Sequence, residues 1–402
     1  MPTSYTGTTS TGAASLGGTA GGAGLVQKAY DRLVEFALRA EPLIRSVADK
    51  RPTNQSTPGS TVVLQRYNDL SQATTALTET SDPDAVSLTT PNTVTITLNE
   101  YGNSVLVTRA LELFSLADVD PAVANIIAFN LADSIDTVAM NTLGNGTNVI
   151  YSGSTATSSA TVTAAATLTS ANVRRAVAKL RANKAAYRKG AMYWAGIHPE
   201  VSHDLRAETG AAAWRDPHNY QAGENIWAGE IGSYEGAYFI ESPRIFSAKI
   251  GADQTALATT TATVAGVSAA FTFGVASTSV IANRAEVGDK ISGTGVGSSA
   301  KITNIATSGS TTTFTVDVAN SAAVTVGATI TVTPVTRVYD TILAGQQAMA
   351  EAVAEEPHVV IGPVVDKLMR FRPMGWYGVL GFARYREEAL FRIESGSSIG
   401  AL

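Results

Sequence analysis

The chain has 402 residues and no cysteine. This excludes disulfides, thiolate nucleophiles and every cysteine-containing zinc site. It leaves the compartment open, because a cytosolic chain and a noncovalently assembled one both fit. Histidine is scarce too: His198, His203, His218 and His358 are the only four. His198 and His203 stand five apart, which misses the HExxH spacing that puts two histidines on one helix face, and Pro199 breaks the geometry further. A surface or helix-capping role is expected for them. Charged residues make up only 16% of the chain, and the formal net charge of -5 gives no global drive toward nucleic acid or an anionic membrane. No apolar run approaches the roughly 20 residues that span a bilayer. The N-terminus, MPTSYTGTTSTGAASLGG, lacks a basic region followed by an apolar core, so no signal peptide is expected.

The motifs of catalysis are missing as well. There is neither a Walker sequence nor a GxSxG nucleophile elbow. Gly293-Thr294-Gly295-Val296-Gly297 does not open a helix and reads as a tight turn rather than a phosphate cradle. The acidic pairs Glu355-Glu356 and Glu387-Glu388 are sequence neighbours, whose side chains diverge. A carboxylate pair assembled across the fold stays open at this stage. No cofactor and no metal is expected, and no enzyme activity.

What is present is a series of structural elements. Residues 1–24 are Gly, Ser, Thr and Ala with almost no large side chain, too little to offset ordering entropy without a partner. Leu25–Ala40 follows as an amphipathic helix with Val26, Tyr30, Leu33, Phe36 and Ala37 at helical spacing; Pro42 ends it, and Ile44 and Val47 continue its apolar surface. Thr61–Tyr67 and Thr93–Thr97 read as strands of a long hairpin with a polar tip, and Ser104–Thr108 extends the second beyond a break at Glu100–Asn103. Isolated hairpins are marginal in water, so either a local sheet or a neighbouring subunit supplies a second surface.

Asp118–Gly144 is the longest uninterrupted helix. Asp120 suits the N-cap, Pro121 the first helical position and Gly144 a left-handed C-terminus. Val123, Ile127, Leu131, Ile135 and Val138 form one apolar row, while Ile126, Phe129 and Met140 put apolar groups on other faces, so more than one side is expected to be covered. Ser170 is expected to cap a second helix, Ala171–Ala186, which buries Val173, Val177 and Leu180 and carries a basic, solvated or subunit-facing surface. Ala191–Ile197 and Ala237–Glu241 read as strands, Pro199–Ala207 as a short helix, and 208–230 as a loop-rich stretch with Trp214 and Trp227.

From Asp253 to Val335 there is no Trp or Tyr and little charge, and short alternating segments of Thr, Val, Ser and Ala are separated by turn signals. This predicts a small all-β module inserted into another domain, with its two ends close together. Beyond it, Val338–Val353 is expected to be helical in part, and Val359–Ile361, Asp366–Phe371, Trp376–Arg386 and Glu388–Ile393 strand-like.

The order of these elements, the empty chemical inventory and certain words resemble the major capsid proteins of tailed bacteriophages, with the Hong Kong-type capsid fold. The words are Tyr193-Trp194-Ala195-Gly196-Ile197-His198-Pro199, Gly229-Glu230-Ile231-Gly232 before Gly236, Val338-Tyr339, and Gly375-Trp376-Tyr377-Gly378 ahead of Glu388–Glu394. The resemblance covers most of 25–250 and 336–395. It implies an α+β chain: an N-terminal arm (1–50), an E-loop hairpin (51–110), a P-domain with spine helix (111–144), an A-domain (145–250) that returns at 336–360, and P-domain C-terminal strands (361–402). The all-β module (251–335) is an insertion outside the minimal fold.

The resemblance further implies self-assembly into pentamers and hexamers of an icosahedral head in the virion. The head would enclose double-stranded DNA without sequence-specific binding. The chain would be made in the bacterial host cytoplasm, with a portal and with scaffolding or cement proteins as partners, and no membrane. Assembly residues would be Phe36 and Arg39 on the arm, Arg66, Tyr67 and Asp69 on the hairpin, Ile126 and Phe129 on the spine, and Trp214 and Trp227 on A-domain loops. Some members cross-link through an E-loop lysine. No lysine lies between Lys50 and Lys179, so a noncovalent shell is expected. Two other readings stay open: a different virion or surface-layer protein forming tubes or sheets, and an enzyme built on scattered carboxylates.

Overall fold

A computed structural model describes residues 42–51, 60–67, 69–74, 76–77, 79–80, 85–87, 91–114, 119–208, 230–245, 249–257, 259–363, 368 and 370–399. The expected arm helix Leu25–Ala40 and the loop 209–229 lie outside them. The chain divides into two compact units. The larger takes in Ala40–Tyr101, Ala132–Glu356 and Gly378–Leu402, and the described part of the smaller is Gly102–Leu131 and Pro357–Tyr377.

The larger unit is built on a mixed sheet of seven strands. Its path is β5 (Val149–Tyr151), β19 (Leu390–Ser395), β16 (Val335–Ala344), β6 (Tyr193–Ile197), β8 (Ala237–Glu241) and β7 (Glu230–Tyr234), with β9 (Lys249–Asp253) also paired to β16. Side chains alternate between its faces. Tyr193, Ala195, Ile197, Tyr339, Leu343, Phe391 and Ile393 meet the buried sides of α3 (Ser170–Ala182) and α4 (Pro199–Ala207), namely Val173, Ala176, Val177, Leu180, Val201 and Leu205. Trp194, Tyr238, Ile342, Ala344 and Leu390 share the other face with Ala139, Met140 and Leu143 of the spine helix α2 (Val119–Gly144) and with Ile44 and Val47. A strand buried on both faces reads as a nearly continuous apolar run, with no visible alternation. β16 hides its strand character in this way. Val338–Val353, expected to be helical in part, holds no helix: it falls in β16, a turn at 345–348 and the start of β17 (Met349–Ile361). β19, expected with the spine helix, belongs to this sheet between β5 and β16.

The spine helix spans 26 residues, about 39 Å at 1.5 Å per residue. It begins at Val119, a residue ahead of the expected Asp120 cap, and Gly144 ends it without entering the left-handed region. Two guanidinium groups take its last carbonyls instead: Arg384 Nη1 donates to Thr142 O at 3.1 Å, and Arg392 Nη1 donates to Gly144 O. Cations at a helix C-terminus also oppose its dipole. By length and composition alone Val123–Gly144 could cross a membrane, contrary to the sequence expectation. Its C-terminal half is nevertheless packed in this core, where Asp136 is buried and ion-paired to Arg244.

α3 starts at Ser170, which was expected as its cap; the Ser170 N–H and hydroxyl both go to the Glu208 carboxylate, at 2.8 and 3.1 Å. The helix stops at Ala182, before Lys184 takes a positive φ of 56°.

The inserted segment forms its own six-stranded sheet, in the order β12 (Lys290–Gly293), β15 (Thr329–Thr333), β10 (Thr260–Val264), β11 (Thr272–Ala276), β14 (Thr311–Val316) and β13 (Ile302–Ser308). It has a separate core that includes Phe273, Val275, Ile291, Phe314, Ile330 and Val332. On β14, Thr312, Phe314 and Val316 are buried and the alternate threonines half-exposed. A one-and-a-half-turn helix, α5 (Val280–Arg284), was not foreseen; the Ser279 hydroxyl caps it by accepting from Ala282 N–H at 3.1 Å. The ends of the module meet as expected: Asp253 and Val335 are register partners, and Gln254 N–H donates to Pro334 O at 2.8 Å.

The remaining sheet runs β1 (Ala48–Arg51), β17, β18 (Phe371–Arg384) and β4 (Asn99–Thr108), and the boundary between the two units falls within β4, β17 and β18. β4 is continuous, where a break at Glu100–Asn103 was expected. In the smaller unit, glycines allow β4 and β18 to lie close. A Cβ on Gly102 would come 2.7 Å from Trp376 O, and one on Gly375 would come 2.6 Å from Asn103 O. Of the segment Asp366–Phe371, expected as a strand, Phe371 opens β18, while 366, 367 and 369 lie outside the described residues.

Candidate assembly surfaces

Charged groups in the larger unit are spent on holding elements together. His198 caps α4, its Nδ1 accepting from Glu200 N–H at 3.3 Å, and burial holds its pKa below the usual value. The Tyr339 hydroxyl donates to Glu200, and burial followed by that contact pushes its pKa up. Among the described residues no group of three or more His, Asp or Glu is placed to hold a metal.

The root of the N-terminal arm is fastened to the spine helix by one carboxylate. Asp136 Oδ1 accepts from Ile44 N–H at 2.6 Å and from Arg45 N–H at 2.9 Å, while its Oδ2 takes Arg244 Nε at 2.9 Å. Burial raises the Asp136 pKa, and the backbone donors pull it back. Arg244 also donates to Asp133 O at 2.9 Å and Thr137 Oγ1 at 3.1 Å. Arg45 reaches on to Glu351, which is fully buried, and to Glu356 at 3.1 Å. The chain therefore leaves this point in a fixed place, although Phe36 and Arg39 themselves lie outside the described residues.

The hairpin pairs β2 (Thr61–Arg66) with β3 (Asn92–Thr97), Thr61 opposite Thr97 and Arg66 opposite Asn92. Its alternation sorts the faces. Val62, Leu64 and Ile96 turn inward onto Ala350, Ala352, Ala383 and Tyr385, so the base of the hairpin is seated on its own chain. Val63 lies on the opposite face and is exposed. Past β2 the chain presents Tyr67, Leu70, Leu77 and Val86 to solvent, so the expected polar tip is in part apolar.

Three of the expected residues meet at one place. Arg66, Tyr67 and Asp69 line a cleft of about 620 Å³ with Lys184, Gln347 and Glu388. Arg66 forms a two-pronged ion pair with Glu388, at 3.0 and 3.1 Å, and this contact holds the Glu388 pKa below the ordinary carboxylate value. Tyr67 is 66% exposed.

In the smaller unit Val107, Ile127, Met374 and Trp376 are buried. Asn130 pins the helix, its Oδ1 accepting from Trp376 Nε1 at 2.8 Å and from Asn103 Nδ2 at 3.3 Å. Around this small core the apolar surface is large. On α1 (Arg109–Phe114), Leu113 is 70% exposed and Phe114 87%. Ile126 is 48% exposed and Phe129 half-buried. Val105, Leu106, Val359, Val360, Ile361 and Leu368 are exposed as well. Only Ile126 and Phe129 of this set were named from sequence. Leu113 and Phe114 were missed because a six-residue helix is too short for its periodicity to show which way its apolar residues face. Trp214 and Trp227 lie outside the described residues.

The exposed apolar surface agrees with the family comparison. The model of a family described as phage capsid protein matches residues 43–398. The chain belongs to that family. It is a structural protein of the virion. No curated protein sequence matches it. Solved structures do. The capsid asymmetric unit of cyanophage Pam1 is 12% identical with a TM-score of 0.57, covering 94% of this chain and 98% of that one. The capsid of cyanophage P-SCSP1u is 12% identical with a TM-score of 0.56, covering 94% and 96%. The capsid of Ralstonia phage GP4 is 11% identical with a TM-score of 0.53, covering 92% and 95%. At such identities the likeness is one of fold, and the fold is the Hong Kong type.

Proposed function

We propose that this phage capsid protein is the major capsid protein, closing an icosahedral head as pentamers and hexamers around double-stranded DNA that it does not read. The observation that carries the reading is the apolar surface of the smaller unit and hairpin, which a lone subunit would leave in water. Large apolar side chains left exposed in such number, Leu113, Phe114, Leu368 and Leu77 among them, point to surfaces that a partner covers. In this reading residues 1–50 are the N-arm and 51–110 the E-loop. Residues 111–144 and the strands of 361–384 form the P-domain, and 145–250 with 336–360 and β19 the A-domain, while 251–335 is an insertion. Ile126 and Phe129 meet a neighbour's E-loop or C-terminal strands, and the Arg66–Tyr67–Asp69 cleft receives part of a neighbour. Phe36, Arg39, Trp214 and Trp227 complete the contacts.

The shell holds without covalent links, since the segment between Lys50 and Lys179 offers no lysine. A portal and scaffolding or cement proteins join it in the host cytoplasm. Electron microscopy of the purified full chain tests the reading: closed shells are expected, and tubes, flat sheets or a lasting monomer would overturn it. Denaturing electrophoresis of those shells is expected to give one subunit-sized band, and a ladder would overturn the noncovalent part.

A further inference from the structure

Among the described residues, the six-stranded sheet of the module ends on β13, ITNIATS, which pairs β14 on one side and no strand on the other. Its first residue is covered on that outer side: Ile302 N–H donates to Asp289 O at 2.9 Å, and Gly288 N–H donates to Ile302 O at 2.8 Å. From Thr303 to Ser308 the outer edge is open. Open edges in natural sheets are blunted by charge, proline or strong bulging, because their unpaired N–H and C=O groups template another strand. β13 carries neither charge nor proline. Its single irregularity lies at Ile302–Asn304, at the covered end. Lys301 stands just before the strand, and its N–H donates to the Asp317 carboxylate at 2.6 Å.

We propose that β13 is a self-pairing edge, through which the modules of two neighbouring copies join as one antiparallel sheet in the assembled particle. The inference rests on the capsid reading, which supplies many copies in fixed orientations. The occupant is a second copy because the strand is complementary to itself. Laid antiparallel on its own sequence about Ile305, Thr303 faces Thr307, Asn304 faces Ala306 and Ile305 faces Ile305. Threonine pairs across strands are favourable, and this register opposes no like charges; Lys301 falls opposite Gly309. Ile305 already packs at the margin of the module core, so the partner's Ile305 extends that core. A two-fold contact needs one patch that serves both sides, and β13 meets that condition. A contact of one short strand is far below the roughly 1,200 Å² of a stable interface. It therefore forms in the particle, where effective concentration is high, and not between free chains.

Two measurements test this on the full chain. In the unmodified protein, hydrogen exchange within Thr303–Ser308 should slow by about tenfold or more on going from free subunit to particle. Because the chain has no cysteine, the Asn304→Cys/Ala306→Cys variant should yield dimers, without a ladder, when oxidised particles are run on a non-reducing denaturing gel. Val326→Cys, on an exposed residue elsewhere in the module, should stay monomeric. Adding Thr303→Lys/Thr307→Lys, which sets like charges opposite one another, should abolish the dimer. Closed shells with an unprotected edge and no dimer would overturn the self-pairing and leave the capsid reading standing. A protected edge without dimer would also overturn it and assign the edge to another strand. Tubes or sheets that give the dimer would keep the self-pairing and overturn the closed shell.

Discussion

The seven-stranded sheet and the smaller unit use apolar residues in opposite ways. In the sheet every residue of β6 and β19 is buried, and both faces are covered by the chain's own helices. In the smaller unit, Phe114, Leu113, Leu368 and Ile361 are each more than half exposed around a core that includes Ile127 and Trp376. One region is complete within a single chain. On the capsid reading the other would be finished by association. A substitution in the first should therefore act on folding, and one in the second on assembly at nearly constant subunit stability.

The largest effect is expected from Leu343→Ala, which removes a fully buried side chain from the central strand β16. Loss of transfer energy plus a cavity costs about 2–5 kcal/mol. Urea unfolding of the subunit should show it, with loss of particles as a consequence. Ile126→Asp should separate the two regions. Ile126 is half exposed, so the subunit's unfolding free energy should stay within about 0.5 kcal/mol of the parent, while particle yield in sedimentation falls to near zero. A variant that assembles normally would remove Ile126 from the interface, and one that unfolds would place it in the core.

The same division explains what the sequence disclosed. Elements with one wet face were legible: the alternation of Val94 and Ile96 located β3, and the helical spacing of Val173, Val177 and Leu180 located the buried side of α3. The composition change at Asp253 located the module, and the need to close the host around it put Asp253 beside Val335. Elements wet on neither face were legible unevenly: β6 and β19, buried at every residue, were read as strands, but β16 was not. β16 offered Tyr-Asp-Thr-Ile-Leu-Ala with no visible alternation, and the alanines of 348–354 suggested helix, yet the sheet's demand for strands overrode propensity. Interfaces were half legible. Arg66, Tyr67 and Asp69 were singled out and converge on one cleft. Phe114 was passed over, because an apolar residue that faces a neighbour looks like one that faces the core until its own chain is seen to leave it bare.

A pH effect should appear in the sheet. Asp340 lies beside Lys249 (3.4 Å), Arg392 (3.9 Å) and Glu394, and burial, only partly offset by the two cations, raises its pKa to about 6. A carboxyl whose folded pKa exceeds its unfolded value of 3.8 binds its proton more tightly in the native state. Its stabilising contribution is complete below the unfolded value and is lost as pH rises through about 6. Glu356, Glu387 and Glu388, whose pKa values are lowered, act in the reverse direction at lower pH. The clean measurement is therefore a difference: the stability of Asp340→Asn relative to the parent should rise as pH goes from the unfolded value of 3.8 to about 6 and then level off, at up to about 1.4 kcal/mol for each unit of pKa shift removed. A flat difference would show that Asp340 titrates normally.

The smallest effect should come from Arg66, where the two regions' logic overlaps. Its pair with Glu388 is two-pronged, but Glu388 is half exposed, so solvent screens the attraction. In the free subunit Arg66→Ala should cost no more than about 1 kcal/mol, and raising the salt should shrink that cost. In the particle the cleft would be covered, and a pair taken out of water is more sensitive to losing one partner. The cost of Arg66→Ala to particle stability should then exceed its cost to the subunit, and should respond less to salt. Equal costs in both states would mean that the cleft stays open to solvent after assembly, and that the hairpin root belongs with the self-sufficient sheet rather than with the surfaces that neighbours complete.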